Sequence, residues 1–333
     1  MTSSAWDDAV TLLREHDEVA LACHVNPDGD ALGSMLALGI ALRDMGKRVV
    51  ASWGSEPFEI PAAYEGLPGL DLLVPASQFP ASPALLVTFD TGSVDRLGAL
   101  ADRVAAAEHV LVIDHHTTNT CFGTVNVIDR GAAATAAVVV ELLDLMRRPL
   151  TAEIAAPVYT GLVTDTGSFK YAATTPSVHL LAARLLETGI RHDEISRQIW
   201  DTASFGYVKL LGLVCARAVL EADEVGGLGL VWTAIGADDL DRYALALSDV
   251  EGVIDVVRMA REAEVAVVLK TDPEDGLLKV STRSKGAVDV GAVCASLGGG
   301  GHRFAAGFTS DAPLAETMDC LRRALAETPH LAA

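Results

Sequence analysis

The sequence predicts an α/β fold in two domains. The first is built on a mainly parallel sheet flanked by helices, and the second is a smaller C-terminal α/β unit. Three observations predict it. Short apolar β-type runs alternate with helical patterns as far as about residue 130. A mostly helical stretch follows, from Ala132 to about Leu220. Further β-type runs, again interleaved with helical patterns, fill the remainder. The expected boundaries are 1–200 for the first domain, 201–224 for a helical linker and 225–333 for the second.

The elements follow in order. EVALACH (18–24) reads as a buried strand, DALGSMLALGIALRDMG (30–46) as a helix ending near Gly46, and KRVVASW (47–53) as the next strand. A Pro- and Gly-rich connection runs through residue 83. ALLVTFD (84–90) and HVLVIDHH (109–116) are apolar strands with a helical pattern between them, and GTVNVID (123–129) is a further strand. The helical stretch is broken at Pro149, Gly167 and Pro176, and TASFGYVKLLGLVCARAVLEAD (202–223) reads as one helix leading out of the first domain. Beyond it GLGLVWTAI (227–235), EVAVVLKT (264–271) and LLKVSTRS (277–284) are strands, with helical patterns near 248–260, 289–297 and 313–327.

Composition narrows the function. Half of the 333 residues are hydrophobic and 21% are charged, which suits folded domains rather than disorder. A net charge of −20 argues against a broad basic track for long nucleic acid, though metals and a few local cations can still reverse the field in one cleft. The 1–8 segment lacks the cations and apolar core of a secretory signal. AAATAAVVVELLDLM (132–146) is too short and too charged to span a bilayer, so no membrane partner is expected. The cysteines at 23, 121, 215, 294 and 320 are scattered without a CxxC pair, which fits free thiols in a cytoplasmic protein.

The chemistry gathers where apolar segments run out. His24, Asp90, Asp114 and His115 close apolar strands, Asp28 and Asp30 follow the first strand, and Asp165 follows the apolar GLVT segment. In a parallel sheet, ligands bind beyond the carboxyl ends of the strands. A lone Asp after a strand is ordinarily a turn or cap residue, and His109, His179, His192 and His330 are read as packed or surface groups. The combined set is not explained by independent caps. Gathered carboxylates with imidazoles and no thiolate suit Mn²⁺ first, and otherwise Mg²⁺, Fe²⁺ or Zn²⁺. There are too many acids for one ion, and two ions about 3.5–4 Å apart would use them. Such a pair acts on a phosphorus centre.

HVNPDGDALGS, FDTG, IDHH and TDTGSF, in that order, resemble the four motifs of the DHH phosphoesterase family. GGGGHRFAAG (298–307) is similar to the glycine-rich signature of the companion DHHA1 domain. Length and domain order resemble the short bacterial nanoRNase/pAp-phosphatase branch, without the added domains of RecJ-type exonucleases or the sensor domains of membrane-bound relatives. The resemblance implies that His24 and Asp28 bind one metal, and that Asp30, His115 and Asp165 bind the other. It also implies that Asp90 bridges them, that His116 contacts the substrate phosphate and assists proton transfer, and that Asp114 orients the histidines.

The 281–310 segment carries Arg283, Lys285 and Arg303 against Asp289 alone, and its glycines suit an anion-binding turn. The resemblance implies that Arg283, His302 and the loop Gly299, Gly300 and Gly301 hold the far end of the substrate, with Ser284 beside them. Lys285 and Arg303 are weaker candidates, since such side chains mostly point to water. The implied activity is cleavage of short RNA oligonucleotides, of 2 to about 5 nucleotides, to 5′-nucleoside monophosphates, with removal of the 3′-phosphate of 3′-phosphoadenosine 5′-phosphate (pAp). The alternatives are a phosphodiesterase on cyclic di-AMP or its linear product pApA, an inorganic pyrophosphatase, and a non-enzymatic nucleotide-binding protein. The resemblance also implies a homodimer, since relatives often pair as dimers through the first domain.

Overall fold

A computed structural model describes residues 4–331 of the chain. It divides into two compact units, 1–202 and 203–333. Residues 1–3 of the segment read as lacking a secretory signal lie outside the described residues.

The first unit holds strands β1 (Glu18–Cys23), β2 (Arg48–Trp53), β3 (Leu85–Phe89), β4 (His109–Asp114) and β5 (Val125–Ile128). Its helices are α1 (Ala5–Glu15), α2 (Gly29–Asp44), α3 (Asp102–Ala106), α4 (Thr135–Leu145), α5 (Ala152–Asp165), α6 (Pro176–Leu186) and α7 (His192–Trp200). The sheet order is β2-β1-β3-β4-β5, every pair parallel. β3 is buried along its whole length and β1 and β4 along nearly all of it, which is why their sequences are apolar runs rather than alternating patterns. The apolar α2 is buried from Gly29 to Leu42, with α4 and α5 in the same core. Gly33 permits this close approach: a Cβ there would lie 2.3 Å from the Pro157 carbonyl oxygen on α5.

This order contains a topological switch point. β1 leads through α2 to β2 on one side, and the chain then returns to place β3 on the other. The crevice outside the strand ends opens where the winding direction reverses, between β1 and β3. His24 is the residue after β1 and Asp90 the residue after β3.

The second unit contains α8 (Phe205–Ala216), β6 (Val219–Glu221), α9 (Glu224–Gly227), β7 (Leu230–Ile235), α10 (Ala237–Tyr243), α11 (Val253–Val257), β8 (Val265–Thr271), β9 (Leu278–Ser284), α12 (Val290–Ser296), β10 (Gly300–His302), β11 (Ala305–Ser310) and α13 (Leu314–Glu327). Its order is β10-β11-β9-β8-β7-β6, with only β7 and β8 parallel. One face packs on α12 and α13 through Val280, Phe308, Val293 and Leu321. The other packs on α8, α10 and α11 through Val231, Val268, Leu210 and Ile254.

Two expectations change. The 202–223 segment, expected as one helix, divides into α8 and the edge strand β6, because Val219–Glu221 pairs antiparallel with β7 and Leu210 and Val214 pack into this unit's core. The glycine run, expected as a loop, is mostly strand: Gly300–His302 pairs with Ala305–Gly307. Elements α1, α10 and β11 were not anticipated. Among the described residues no helix is long and apolar enough to cross a membrane.

Candidate metal centre

The site assembles from one strand end after another. His24 follows β1, and its Nδ1 lies 2.8 Å from the Val25 carbonyl oxygen. A carbonyl only accepts, so Nδ1 carries a proton and Nε2 faces the acids. His115 does the same, with Nδ1 3.2 Å from the Ala132 carbonyl oxygen.

Asp28 is the N-cap of α2. Its Oδ1 accepts from the amides of Asp30 and Ala31 at 3.1 and 3.0 Å, while Oδ2 lies 3.8 Å from His24 Nε2. It is therefore a cap and a possible ligand at once, since a carboxylate has lone pairs for both. Asp30 is fully buried, and its two oxygens accept from Thr135 N at 2.6 Å and Ala136 N at 2.8 Å. Those amides open α4, so a helix N-terminus stabilises the charge.

Asp90 sits between two donor sets. Its Oδ2 is 3.5 Å from His24 Nε2, and its Oδ1 is 3.5 Å from His115 Nε2. The backbone there has φ 53°, and Oδ1 also accepts the Thr135 hydroxyl at 2.9 Å. Asp165 is the last residue of α5, not a strand-end residue, and its Oδ2 is 3.2 Å from His115 Nε2. Two groups could hold a metal ion, His24–Asp28–Asp90 and Asp30–His115–Asp165, each with donor atoms mutually within 4.8 Å. A third such group is Asp90–His115–His116.

Electrostatics show what the cluster asks for. Burial and the neighbouring Asp90 and Asp28 push the Asp165 carboxyl up to about 8. Burial and the charges of Asp90 and Asp165 also push Asp30 well up. Burial opposes a charged His24, yet hydrogen bonds and attraction from Asp28 and Asp90 outweigh it and raise that imidazole to about 10. Each shift is a demand for positive charge among close acids. Hard oxygen donors with two imidazoles and no thiolate fit divalent cations of the Mn²⁺, Mg²⁺ or Zn²⁺ kind.

Asp114 is wholly buried and belongs to none of these sets. Its Oδ1 accepts from the amides of His115 and His116 and from His116 Nδ1 at 2.7 Å, and Asn119 Nδ2 donates to its Oδ2 at 2.5 Å. Burial works against its charge, but these bonds hold Asp114 below the usual carboxylate range. His116 is raised despite its burial, by Asp114 and Asp90, which favours the imidazolium. Thr135 and Asn119 were missed from sequence. Thr135 was signalled only by a lone hydroxyl in AAATAAVVV, and Asn119 by its place shortly after the histidines.

In the second unit, register replaces burial. Directly opposed residues share a face, so His302, Ala305 and Arg283 form one row across β10, β11 and β9. The next row on that face is Gly300, Gly307 and Ser281. The result is a floor nearly bare of side chains beside an imidazole and a guanidinium. Gly299 answers to packing, since a Cβ there would lie 2.2 Å from the Gly307 carbonyl oxygen, and Gly301 to both packing and backbone, with φ 141° and a Cβ that would lie 2.6 Å from Ala306 Cα. A Cβ at Gly300 would meet nothing within 4 Å. Ser284 is buried, its hydroxyl donating to Glu264 Oε1 at 2.7 Å and accepting from the amides of Gly286 and Val288. Lys285 Nζ reaches the Ala260 carbonyl oxygen, and Arg303 lies 3.8 Å from Asp289.

The DHH family N-terminal domain matches residues 18–162, and the DHHA1 domain matches residues 245–328. A bifunctional oligoribonuclease and PAP phosphatase of Thermus thermophilus is 37% identical over 292 residues, covering 87% of this chain and 83% of the relative. A cyclic-di-AMP phosphodiesterase of Geobacillus thermodenitrificans is 28% identical over 346 residues, covering 94% of this chain but 48% of that one. Among solved structures, an exopolyphosphatase-related protein from Bacteroides fragilis has a TM-score of 0.88 at 23% identity, covering 96% of this chain and 95% of its own, so the fold is shared.

Proposed function

Because this chain belongs to the DHH family, as a metal-dependent phosphoesterase with a DHHA1 domain, we propose that it hydrolyses short oligoribonucleotides to 5′-nucleoside monophosphates and removes the 3′-phosphate of pAp. The observation that carries this reading is Asp90, whose two oxygens face separate donor sets 3.5 Å away on each side. His24 and Asp28 would hold one divalent ion, Asp30, His115 and Asp165 a second, and Asp90 both. Mn²⁺ is the proposed native metal. Bound there, the ions supply Lewis acidity and charge neutralisation for a phosphate ester.

The chain's own groups do the rest. Asp114 fixes His116 through Nδ1, which leaves Nε2 as the nitrogen turned to the phosphate and as the proton donor to the leaving oxygen. Arg283 and His302 bind the second phosphate or terminal nucleotide over the floor at Gly300. A preference for short substrates agrees with the net charge of −20, which argues against a long basic track. A cytoplasmic homodimer completes the proposal.

A second reading, hydrolysis of cyclic di-AMP or pApA, is favoured by the Geobacillus relative's coverage of 94% of this chain. The test is kcat/KM for pApA, short and longer RNAs, pAp, cyclic di-AMP and pyrophosphate with Mn²⁺ and with EDTA. The expected result is turnover of pApA, short RNAs and pAp, lost with EDTA, and little action on pyrophosphate. Cyclic di-AMP as the best substrate would move the assignment to the second reading. Tight binding of all without turnover would make the protein a sensor.

A further inference from the structure

The turn between β10 and β11 consists of two residues, Arg303 and Phe304. Hairpin tips ordinarily carry Gly, Asn or Asp, and this one carries an aromatic ring that is 41% exposed. Phe304 belongs to none of the unit's packed clusters. The tip is nevertheless held firmly. The Phe304 carbonyl accepts from the Ser284 amide at 3.0 Å, and the Arg303 carbonyl from the Val290 amide at 2.9 Å. These bonds tie the turn to the end of β9 on one side and to the start of α12 on the other. Gly291 makes the second approach possible, since a Cβ there would lie 2.9 Å from the His302 carbonyl oxygen.

A cation also lies beside the ring. The Arg303 guanidinium lies 5.6 Å from its centroid, within cation–π range. The turn continues directly from His302, whose row runs through Ala305 to Arg283. An exposed aromatic on a pinned turn, beside a basic row and a bare floor, has the composition of a base-stacking platform.

We propose that Phe304 is a specificity-determining residue that stacks on the base of the substrate's second nucleotide, with Arg303 behind the ring. The assignment rests on the nucleotide phosphoesterase reading above. It adds that the enzyme measures a base as well as a phosphate. Ring rigidity matters here, because a pre-ordered turn loses little entropy on binding.

The test compares the metal-loaded wild type with Phe304→Leu and Phe304→Trp on two substrates: pApA, and an analogue with the same phosphates whose second ribose is abasic. Phe304→Leu is expected to raise KM for pApA about tenfold, in line with the loss of one base stack, and to leave kcat within about twofold. Phe304→Trp restores KM, and its added indole emission is quenched when pApA binds. The abasic analogue is cut equally by all three. An unchanged KM for pApA in Phe304→Leu overturns the platform while leaving the phosphoesterase reading intact. Indole quenching by pApA without turnover in any of the three would do the reverse.

Discussion

The metal centre and the hairpin face are built in opposite ways. In the first unit, Asp30, Asp90 and Asp114 are almost wholly buried, and each is held by amides or side chains from elsewhere in the chain. In the second, Gly300 and His302 lie on a short exposed edge strand. Buried acids cannot relax, so they keep a fixed geometry and a standing demand for positive charge. An exposed row is solvated and costs little, so it can be shaped by the absence of side chains as much as by their presence. The acids lie in the interior of the first unit, whereas the hairpin row lies open to solvent.

The sharpest break in this comparison is at Asp90. Asp90→Asn keeps the volume, the acceptor for the Thr135 hydroxyl and a residue that tolerates φ 53°. It removes the charge shared by both donor sets. A loss of at least about a thousandfold in kcat/KM is expected, more than ~4 kcal/mol of transition-state stabilisation. The metal-free melting temperature should stay level or rise, because one of several repelling carboxylates is gone. Near wild-type turnover would remove Asp90 from its bridging role.

The second break is by pH. In the metal-free protein Asp165 stands at about 8 and His24 at about 10, against ordinary values near 4 and 6.5. Both folded-state values are raised, so the folded protein holds these protons more tightly than the unfolded chain. The stability they contribute is complete below the unfolded values and is lost as pH rises through about 8 and then about 10. A cation in the cluster must displace the same protons. Metal affinity should therefore climb between pH 6 and 8, by up to about tenfold per unit for each proton released. Calorimetric titration in buffers of different ionisation enthalpy would count those protons. An affinity flat across that window would mean that the acids are already ionised.

Legibility followed the same division. The strand ends were readable because a parallel strand buried on both faces is an apolar run, and His24, Asp90 and His115 mark where each run stops. Asp165 was readable as a polar group after GLVT, but that run belongs to a helix, and a short apolar run looks alike in both. Thr135 was hidden because its partners Asp30 and Asp90 lie 105 and 45 residues away. The glycine run misled for a different reason. Glycine signals freedom, whereas Gly299 is demanded by its contact with Gly307 and Phe308 on β11, which no local pattern announces.

That last distinction gives the gentlest test, on two adjacent residues. Gly299→Ala would push a methyl group to 2.2 Å from the Gly307 carbonyl oxygen and 2.4 Å from Phe308 Cβ. Strand β11 would have to shift, at a cost of about 1–3 kcal/mol, typical of overpacking, and the melting temperature should fall by several degrees. Gly300→Ala meets no atom within 4 Å and should melt as the wild type does. If substrate lies on that floor, the same methyl group raises KM a few-fold with kcat unchanged, because it intrudes on binding and not on the metal centre. Thermal melts and steady-state kinetics on the two variants separate the effects. If Gly300→Ala leaves KM untouched, the bare floor is only the consequence of a short edge strand, and substrate recognition must be sought nearer Arg283.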